Sequence, residues 1–165
     1  MKQPELIKTL APIVAADSQI LILGTVPGPL ALAKGEYFAH PRNQFWRLLF
    51  AVYEHGFSEE YEERKKLLKT YKIALWEVLE TCERKGSADQ NIKNETPNNL
   101  LFLLKTHPEI KFIFFDSKAA AKFYDRYFPR WEGILYETLP SPSPAYASLS
   151  FEEKLEKWRA IKMRH

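Results

Sequence analysis

The sequence predicts an α/β fold: a three-layer α/β/α sandwich around a central, mostly parallel four-stranded sheet. Continuous apolar runs at 19–23, 111–115 and 134–139, with a weaker run at 73–79, alternate with segments of helical periodicity. Strands that are buried on both faces read as continuous apolar runs, which is typical of a parallel sheet covered by helices. A chain of 165 residues fits one domain, which we expect to span 1–165.

The helices are predicted from apolar periodicity and from capping residues. Pro97 favours a helix start, because a proline in the first turn loses no required hydrogen bond. Ser117 can cap the next helix, and Ser150 with Glu153 forms the pattern of a capping box. The stripe that begins at Phe45 has helical spacing. The predicted helices cover 45–53, 97–103, 118–128 and 150–163.

Composition limits the class of protein but does not define a function. A net charge of +3 and a pI near 8.9 are compatible with a nucleic-acid partner without requiring one. Cys82 is the only cysteine, which excludes an intrachain disulfide and a four-cysteine metal site. No apolar run is long enough to span a bilayer, and the N-terminus lacks a signal-peptide pattern. We therefore expect a cytoplasmic, monomeric protein.

Two loops follow predicted strands and carry the unusual residues of the chain. The first covers 24–46 and contains Gly24-Thr25-Val26-Pro27-Gly28 followed by an aromatic-rich segment. The second covers 139–146 and alternates prolines with Ser141 and Ser143. In open α/β sheets, ligands bind outside the carboxyl ends of the strands. The loops therefore predict a site for a flat polar ring attached to a phosphate backbone.

The same two loops carry a family resemblance. Gly24-Thr25-Val26-Pro27-Gly28, with Phe-Ala-His-Pro-Arg-Asn-Gln-Phe-Trp at 38–46, resembles the first motif of the uracil-DNA glycosylase superfamily, in its mismatch-specific branch. Leu-Pro-Ser-Pro-Ser-Pro at 139–144 resembles the second motif, and 115–119 resembles a strand-to-helix turn of that family. An apolar residue in the first motif, an Asn before Phe-Trp and a Ser-Pro-Ala-Tyr ending are similar to the hypoxanthine (deoxyinosine) DNA glycosylases.

This resemblance implies a DNA glycosylase of base excision repair. Such an enzyme hydrolyses the N-glycosidic bond of a flipped deaminated base and leaves an abasic site. Hypoxanthine is the first expected base and uracil in mismatches the second. The implied partner is damaged DNA, duplex or single-stranded, and neither a cofactor nor a metal is expected. No lysine suited to a Schiff base lies in either motif, so no lyase step is expected.

Position 26 departs from most of the family. Most branches place Asp or Asn there to orient the attacking water, whereas Val26 cannot form a side-chain hydrogen bond. In the hypoxanthine subgroup the resemblance implies that the later Asn43 takes the catalytic role. Asn is also a favoured helix cap, so Asn43 can be a cap, a catalytic group or both.

The remaining site residues form a base pocket and a DNA-contacting loop. Phe38 or Tyr37 can supply a face for stacking, although Phe38 fits a core position almost equally well. Ser141 and Ser143 suit phosphate oxygens but also suit turns, and Tyr146 is a candidate wedge. The full pocket prediction is Gly24, Thr25, Val26, Pro27, Gly28, Tyr37 and Phe38, and the phosphate and wedge prediction is Ser141, Ser143, Pro144, Ala145 and Tyr146.

Other function classes are less well supported. The chain has no His-x-Glu with paired cysteines, and Ser141 lacks the glycines of a nucleophile elbow. Ser87 and Asp89 can line a pocket, but a solvated turn is the favoured interpretation. The alternative function is a non-catalytic nucleic-acid or nucleoside-binding protein on the same fold, because Val26 removes the usual catalytic side chain.

Overall fold

The computed structural model describes residues 4–165, which form seven strands and six α-helices. Residues 1–3, part of the segment that lacks a signal-peptide pattern, lie outside the described residues. In chain order the elements are β1 (Glu5–Lys8), β2 (Ile20–Gly24), α1 (Pro29–Lys34), α2 (Phe45–Val52), α3 (Tyr61–Thr70), β3 (Ile73–Glu77), β4 (Leu79–Arg84), β5 (Ile92–Pro97), α4 (Leu100–Thr106), β6 (Phe112–Phe115), α5 (Lys118–Tyr127), β7 (Leu135–Thr138) and α6 (Phe151–Trp158). Short 3₁₀ helices cover Asp89–Asn91 and Arg159–Arg164.

The predicted four-stranded parallel sheet is confirmed, with the spatial order β3-β2-β6-β7. Ile20 in β2 pairs with Ile73 on one side and with Phe112 on the other. The chain leaves β2, adds β3 on one side and later adds β6 on the opposite side. The carboxyl end of β2 is therefore the point where the strand order reverses, which is where open α/β sheets bind ligands.

Both faces of this sheet are buried, as the continuous apolar run of β2 predicts. Ile20 and Ile22 pack into one hydrophobic cluster, while Leu21 and Leu23 pack into a second. Side chains along a strand alternate between the two faces, so one strand contributes to two cores. The first cluster includes most of α2 and the buried side of α6, and the second includes α5. The three-layer α/β/α arrangement follows.

The sequence did not predict a second sheet of three antiparallel strands, in the order β1-β4-β5. The predicted strand at 73–79 divides into β3 and β4, which are separated only by Val78. β4 and β5 carry charged side chains among the apolar ones, so neither gives a continuous apolar signal. Their exposed positions reflect a small sheet with one solvent-facing side.

The predicted helix start at Pro97 is wrong. Pro97 is the last residue of β5 and pairs with Leu79, in an edge strand where a missing N–H is tolerated. The helix α4 starts later, where the Asn99 side chain accepts a hydrogen bond from the Phe102 backbone N–H. An Asn cap therefore overrides the proline signal.

The capping predictions for Ser117 and Ser150 are confirmed. The Ser117 hydroxyl accepts from the Ala120 backbone N–H, and Ser150 with Glu153 forms a complete capping box. The last helix is shorter than predicted, since α6 ends at Trp158 and tightens into a 3₁₀ turn. Within the described residues, no helix has the length and apolar character needed to cross a membrane.

Candidate active site

A cleft of about 1150 Å³ opens at the carboxyl ends of the parallel strands. Segments that follow β2, β6 and β7 line it, together with Glu77 at the end of β3. Every residue of the predicted base pocket and DNA loop lines this cleft except Gly24, which lies beneath its floor. The two predicted loops therefore belong to a single site.

Gly24 allows two carboxyl groups to approach the end of the central strand. A Cβ atom at this position would lie 2.5 Å from Glu77 Oε2 and 3.0 Å from Asp116 Oδ2. Both carboxyl side chains are buried, and both line the cleft. Glu77 Oε2 has no hydrogen-bond partner within residues 4–165. A buried acceptor without a partner is unusual, so this oxygen is a candidate contact for a ligand.

The environment favours the protonated form of these acids. Burial, together with the nearby charge of Asp89, raises the pKa of Asp116 from 3.8 to about 7. Burial also raises the pKa of Glu77 well above its usual range, with Asp116 and Asp89 as additional causes. Each carboxyl disfavours the charge of its neighbour. The raised pKa values favour the neutral carboxyl, which can both donate and accept a hydrogen bond.

Asn43 lies at the cleft beside the start of α2. Its Oδ1 accepts a hydrogen bond from the Phe45 backbone N–H at 2.9 Å, and the helix begins at Phe45 with Gln44 as its N-cap. Asn43 lies one residue before the N-cap and forms an Asx turn, so its predicted role as the helix cap is wrong: within residues 4–165 no side chain caps this helix. Because the Phe45 N–H can donate only to the amide oxygen of Asn43 and not to its NH₂, this hydrogen bond fixes which way the amide group points. The amide NH₂ of Asn43 remains as the group that a ligand can use.

The two predicted aromatic residues have different environments. Tyr37 is only 3% exposed, and its hydroxyl donates to the Ala11 carbonyl at 2.8 Å. Its ring is part of the core and is not available for stacking on a base. Phe38 is half-buried and stacks on Phe45 with ring centroids 3.9 Å apart and an interplanar angle of 10°. Phe38 thus combines the core contact and the cleft contact that the sequence left as alternatives.

Phe38 also has strained backbone geometry. Its φ angle is +52°, in the left-handed region that bulky side chains rarely adopt. Such strain costs on the order of 1–3 kcal/mol and persists where the surrounding structure imposes it. Here the conformation places the ring between Phe45 and the cleft, which is consistent with a functional position.

The loop at 139–146 is held close to Asn43. The Gln44 backbone N–H donates to the Pro142 carbonyl at 2.8 Å. Ser141 Oγ accepts from the Ser143 N–H at 3.1 Å, and Ser143 Oγ accepts from the Ala145 N–H at 3.2 Å. The serines therefore form the predicted turns, and each hydroxyl proton is still available to a phosphate oxygen.

The wedge candidates differ in exposure. Pro144 and Ala145 are exposed at the tip of the loop, whereas Tyr146 is half-buried. The Lys154 ammonium lies 5.4 Å from the centre of the Tyr146 ring. Insertion between bases requires an exposed apolar group. The tip formed by Pro144 and Ala145 fits this requirement better than Tyr146.

Sequence reasoning missed three polar residues of the cleft: Glu77, Asp116 and Arg84. Asp89 and Ser87 line the cleft, contrary to the favoured interpretation as a solvated turn. Arg84 is 1% exposed and donates to the Pro27 carbonyl at 3.0 Å, which fixes the first loop. The signal for Glu77 and Asp116 was present, because each acid ends or directly follows an apolar strand.

Cationic side chains lie along the edge of the cleft. Arg42, Lys118 and Lys157 line it and are exposed. No group of three or more His, Cys, Asp or Glu side chains within residues 4–165 is arranged to hold a metal ion. The site thus combines an acidic floor, an amide, an aromatic face and a basic edge.

The fold and the cleft define a three-layer α/β/α protein with a ligand site at the carboxyl ends of a parallel sheet. The family model of the uracil DNA glycosylase superfamily matches residues 11–162. The chain therefore belongs to the uracil DNA glycosylase superfamily, and its class of activity is that of a DNA glycosylase, a hydrolase of N-glycosyl bonds in DNA.

Known relatives agree with this assignment. The chain is 35% identical over 128 residues to a hypoxanthine DNA glycosylase of Methanosarcina barkeri, covering 77% of this chain and 78% of the relative. It is 34% identical over 147 residues to a hypoxanthine DNA glycosylase of Methanosarcina acetivorans, covering 88% and 90%. The solution NMR structure of a candidate uracil DNA glycosylase from Methanosarcina acetivorans superimposes with a TM-score of 0.81 at 28% identity, covering 96% of this chain and 99% of that one.

Proposed function

We propose that this protein is a monofunctional DNA glycosylase that releases hypoxanthine from DNA, with uracil as a weaker substrate. The observation that carries the proposal is the buried carboxyl oxygen of Glu77 on the cleft floor, which has no hydrogen-bond partner among residues 4–165 and lies beside the carboxyl of Asp116. The relatives named above add support, because both are described as hypoxanthine DNA glycosylases.

A protonated carboxyl is complementary to a lactam. The six-membered ring of hypoxanthine presents an N–H donor beside a carbonyl acceptor. A neutral carboxyl group of Glu77 offers an acceptor and a donor at matching spacing, so it can form two hydrogen bonds to that edge. An ionised carboxylate would offer acceptors only. The raised pKa of Glu77 therefore favours recognition of a deaminated base. Uracil carries the same lactam unit, which explains its place as second substrate.

The reaction breaks the bond between C1′ of the sugar and the ring nitrogen of the base. Water attacks C1′, and the bonding electron pair leaves with the base. Negative charge develops on the base as the bond breaks, and hydrogen-bond donors that meet this charge stabilise the transition state. In this proposal the Asn43 NH₂ and the Glu77 carboxyl proton are those donors. The attacking water loses a proton to solvent, the released base takes one up from solvent, and an abasic site remains.

The nucleotide must leave the base stack to reach this floor. Phe38 offers the stacking face for the flipped base. The hydroxyls of Ser141 and Ser143 hold a neighbouring phosphate, and the exposed Pro144–Ala145 tip enters the space that the base has left. Val26 is 9% exposed and provides an apolar wall, so stabilisation of the leaving base dominates over orientation of the water.

The test uses labelled oligonucleotides that carry hypoxanthine, uracil, xanthine or an undamaged base, each as duplex and as single strand. Base release is detected by alkaline cleavage of the abasic product. We expect the fastest release from hypoxanthine, with full activity in excess EDTA. Binding to an abasic duplex without release of any base would instead identify a non-catalytic binding protein.

Two variants test the carboxyl floor directly. Glu77→Gln keeps one acceptor and one donor but cannot ionise, so it should retain hypoxanthine release and lose any pH dependence that Glu77 causes. Glu77→Leu keeps much of the volume and removes both groups, so it should lose release. Equal activity of the two variants would remove Glu77 from base recognition.

A further inference from the structure

Lys154 is a buried cation that the proposed reaction does not use. It lies in α6, its side chain is 1% exposed, and it faces the loop at 139–146, which we call the serine loop. Its Nζ donates to Gln44 Oε1 at 2.8 Å and to the Ser143 carbonyl at 3.4 Å. None of the ion pairs formed within residues 4–165 includes Lys154. The ammonium thus has neutral oxygen acceptors and no neutralising carboxylate.

The position of this charge is costly. Burying an ammonium removes its hydration, and neutral acceptors compensate only part of that loss. Burial accordingly lowers the pKa of Lys154 below its usual range. An apolar side chain at this position would avoid the penalty. The observed arrangement therefore calls for a role beyond packing.

The contacts of Lys154 join the two halves of the site. Gln44 follows Asn43 directly and is the N-cap of α2, whereas Ser143 is in the serine loop. Two further hydrogen bonds hold the same loop, from the Gln44 backbone N–H to the Pro142 carbonyl and from Trp158 Nε1 to the Pro140 carbonyl. Among these hydrogen bonds, those donated by Lys154 involve a formal charge.

We propose that Lys154 is a positioning residue that fixes the serine loop relative to Asn43 and whose unneutralised charge draws a DNA phosphate onto that loop. The proposal rests on the proposed function of this site. In this proposal, the negative charge that balances the Lys154 ammonium comes from the bound DNA. DNA binding would then tighten the same contacts that orient Asn43.

The experiment separates catalysis from binding. Single-turnover release of hypoxanthine is measured at saturating enzyme for Lys154→Met, Gln44→Leu and the double variant. Affinity for a duplex with a tetrahydrofuran abasic analogue is measured over a range of salt concentrations. Lys162→Met is the matched control, because Lys162 is exposed and pairs only with the exposed Glu54 at 3.7 Å. Thermal unfolding of each variant confirms a folded protein.

We expect each single variant to lower the saturated rate by at least about 10-fold, because small displacements of a catalytic group are costly. The double variant should lose no more than Lys154→Met, since both changes break one contact. Lys154→Met should also reduce the salt slope of binding by about one, whereas Gln44→Leu, which keeps the cation, should not. The Lys162→Met control should change neither quantity.

A saturated rate for Lys154→Met equal to that of the parent protein would overturn the proposal, as would multiplicative losses in the double variant. If Lys154→Met does not fold, the deciding variant is Gln44→Glu. Its carboxylate keeps an oxygen acceptor for Lys154 but neutralises the charge of the lysine. It should retain more of the rate than Gln44→Leu while binding the abasic duplex less tightly, and equal behaviour of the two would refute the proposal. Failure of the parent protein to release hypoxanthine is a different result, which would remove the proposed function itself.

Discussion

The sharpest test of the site is Asn43→Asp. In the structure, Asn43 Oδ1 accepts from the Phe45 N–H at 2.9 Å, and the NH₂ remains for the ligand. Aspartate keeps an oxygen acceptor for Phe45 and replaces the NH₂ with a second oxygen. The substitution therefore preserves the local turn and removes the donor. It also adds negative charge to a cleft in which the departing base becomes an anion.

The expected magnitudes separate the two roles of Asn43. Loss of one donor that acts in the transition state lowers the rate by about 10²–10³, which is about 2.7–4 kcal/mol. Asn43→Ala should lose a similar factor and also the hydrogen bond from the Phe45 N–H, at about 0.5–1.5 kcal/mol of stability. For a chain of this length that corresponds to a fall in Tm of roughly 1–6 °C. Asn43→Asp should keep its Tm within about 2 °C, because a change that preserves the local contacts costs at most about 0.5 kcal/mol.

The assay is single-turnover release of hypoxanthine with enzyme in excess, alongside thermal unfolding of all three proteins. Near-parental rates for a folded Asn43→Asp protein would refute the assignment and move the chemistry elsewhere in the cleft. A rate loss in Asn43→Ala alone, together with a lowered Tm, would reduce Asn43 to a structural residue of the turn before α2.

Four further outcomes follow from the same geometry. Burial, together with the nearby charge of Asp89, raises the pKa of Asp116 from 3.8 to about 7, so the folded state binds a proton more tightly than the unfolded chain does. The free energy of unfolding therefore falls as pH rises between those two values, by at most about 1.4 kcal/mol per pH unit. Asp116→Asn should remove this fall, giving a variant that is more stable than the parent at pH 8 but not at pH 4 in thermal unfolding; parallel curves would contradict it. Phe38→Ala should weaken the use of damaged substrate by about 1–3 kcal/mol, measured as kcat/KM, with little change for undamaged duplex. Ser143→Ala, and to a lesser degree Ser141→Ala, should weaken DNA binding in a titration without altering base preference, since phosphate contacts position the substrate and do not read it. Val26→Asn should raise uracil release if position 26 is where relatives hold the water, and an unchanged uracil rate would show a differently organised pocket.

Much of the parallel sheet could be predicted because burial on both faces leaves a direct record in the sequence. The five residues of β2 are all buried, and four of them form a continuous apolar run. The small antiparallel sheet left no such record. Leu79 and Cys82 face the core, and polar residues that are exposed or half-exposed lie next to them. From the sequence alone, β4 therefore looks like a turn followed by a short loop. Only pairing with β5 and with β1, which is distant in sequence, defines it as a strand.

The site was predictable where chemistry depends on local sequence and was missed where it depends on topology. The loops at 24–28 and 139–146 contain proline and glycine in patterns that are visible without a structure. Glu77 and Asp116 are single acids on different strands, and each looks like an ordinary polar residue at a strand end. Their importance for the site depends on the close approach of the two carboxyls over Gly24. That approach depends on the strand order β3, β2, β6.

The same carboxyls give a physical reason for the apolar residue at position 26. A glycosylase can lower its barrier by orienting the water or by stabilising the departing base. In the proposed reaction Val26 cannot orient water, so more of the stabilisation has to come from donors on the base side. Burial beside Asp116 raises the pKa of Glu77 and so favours the neutral form, which can donate a proton there. An ionisable group at position 26 would add charge near these acids and change that balance. We therefore propose that the acidic floor and Val26 are parts of one arrangement, in which the leaving base receives the catalytic contacts.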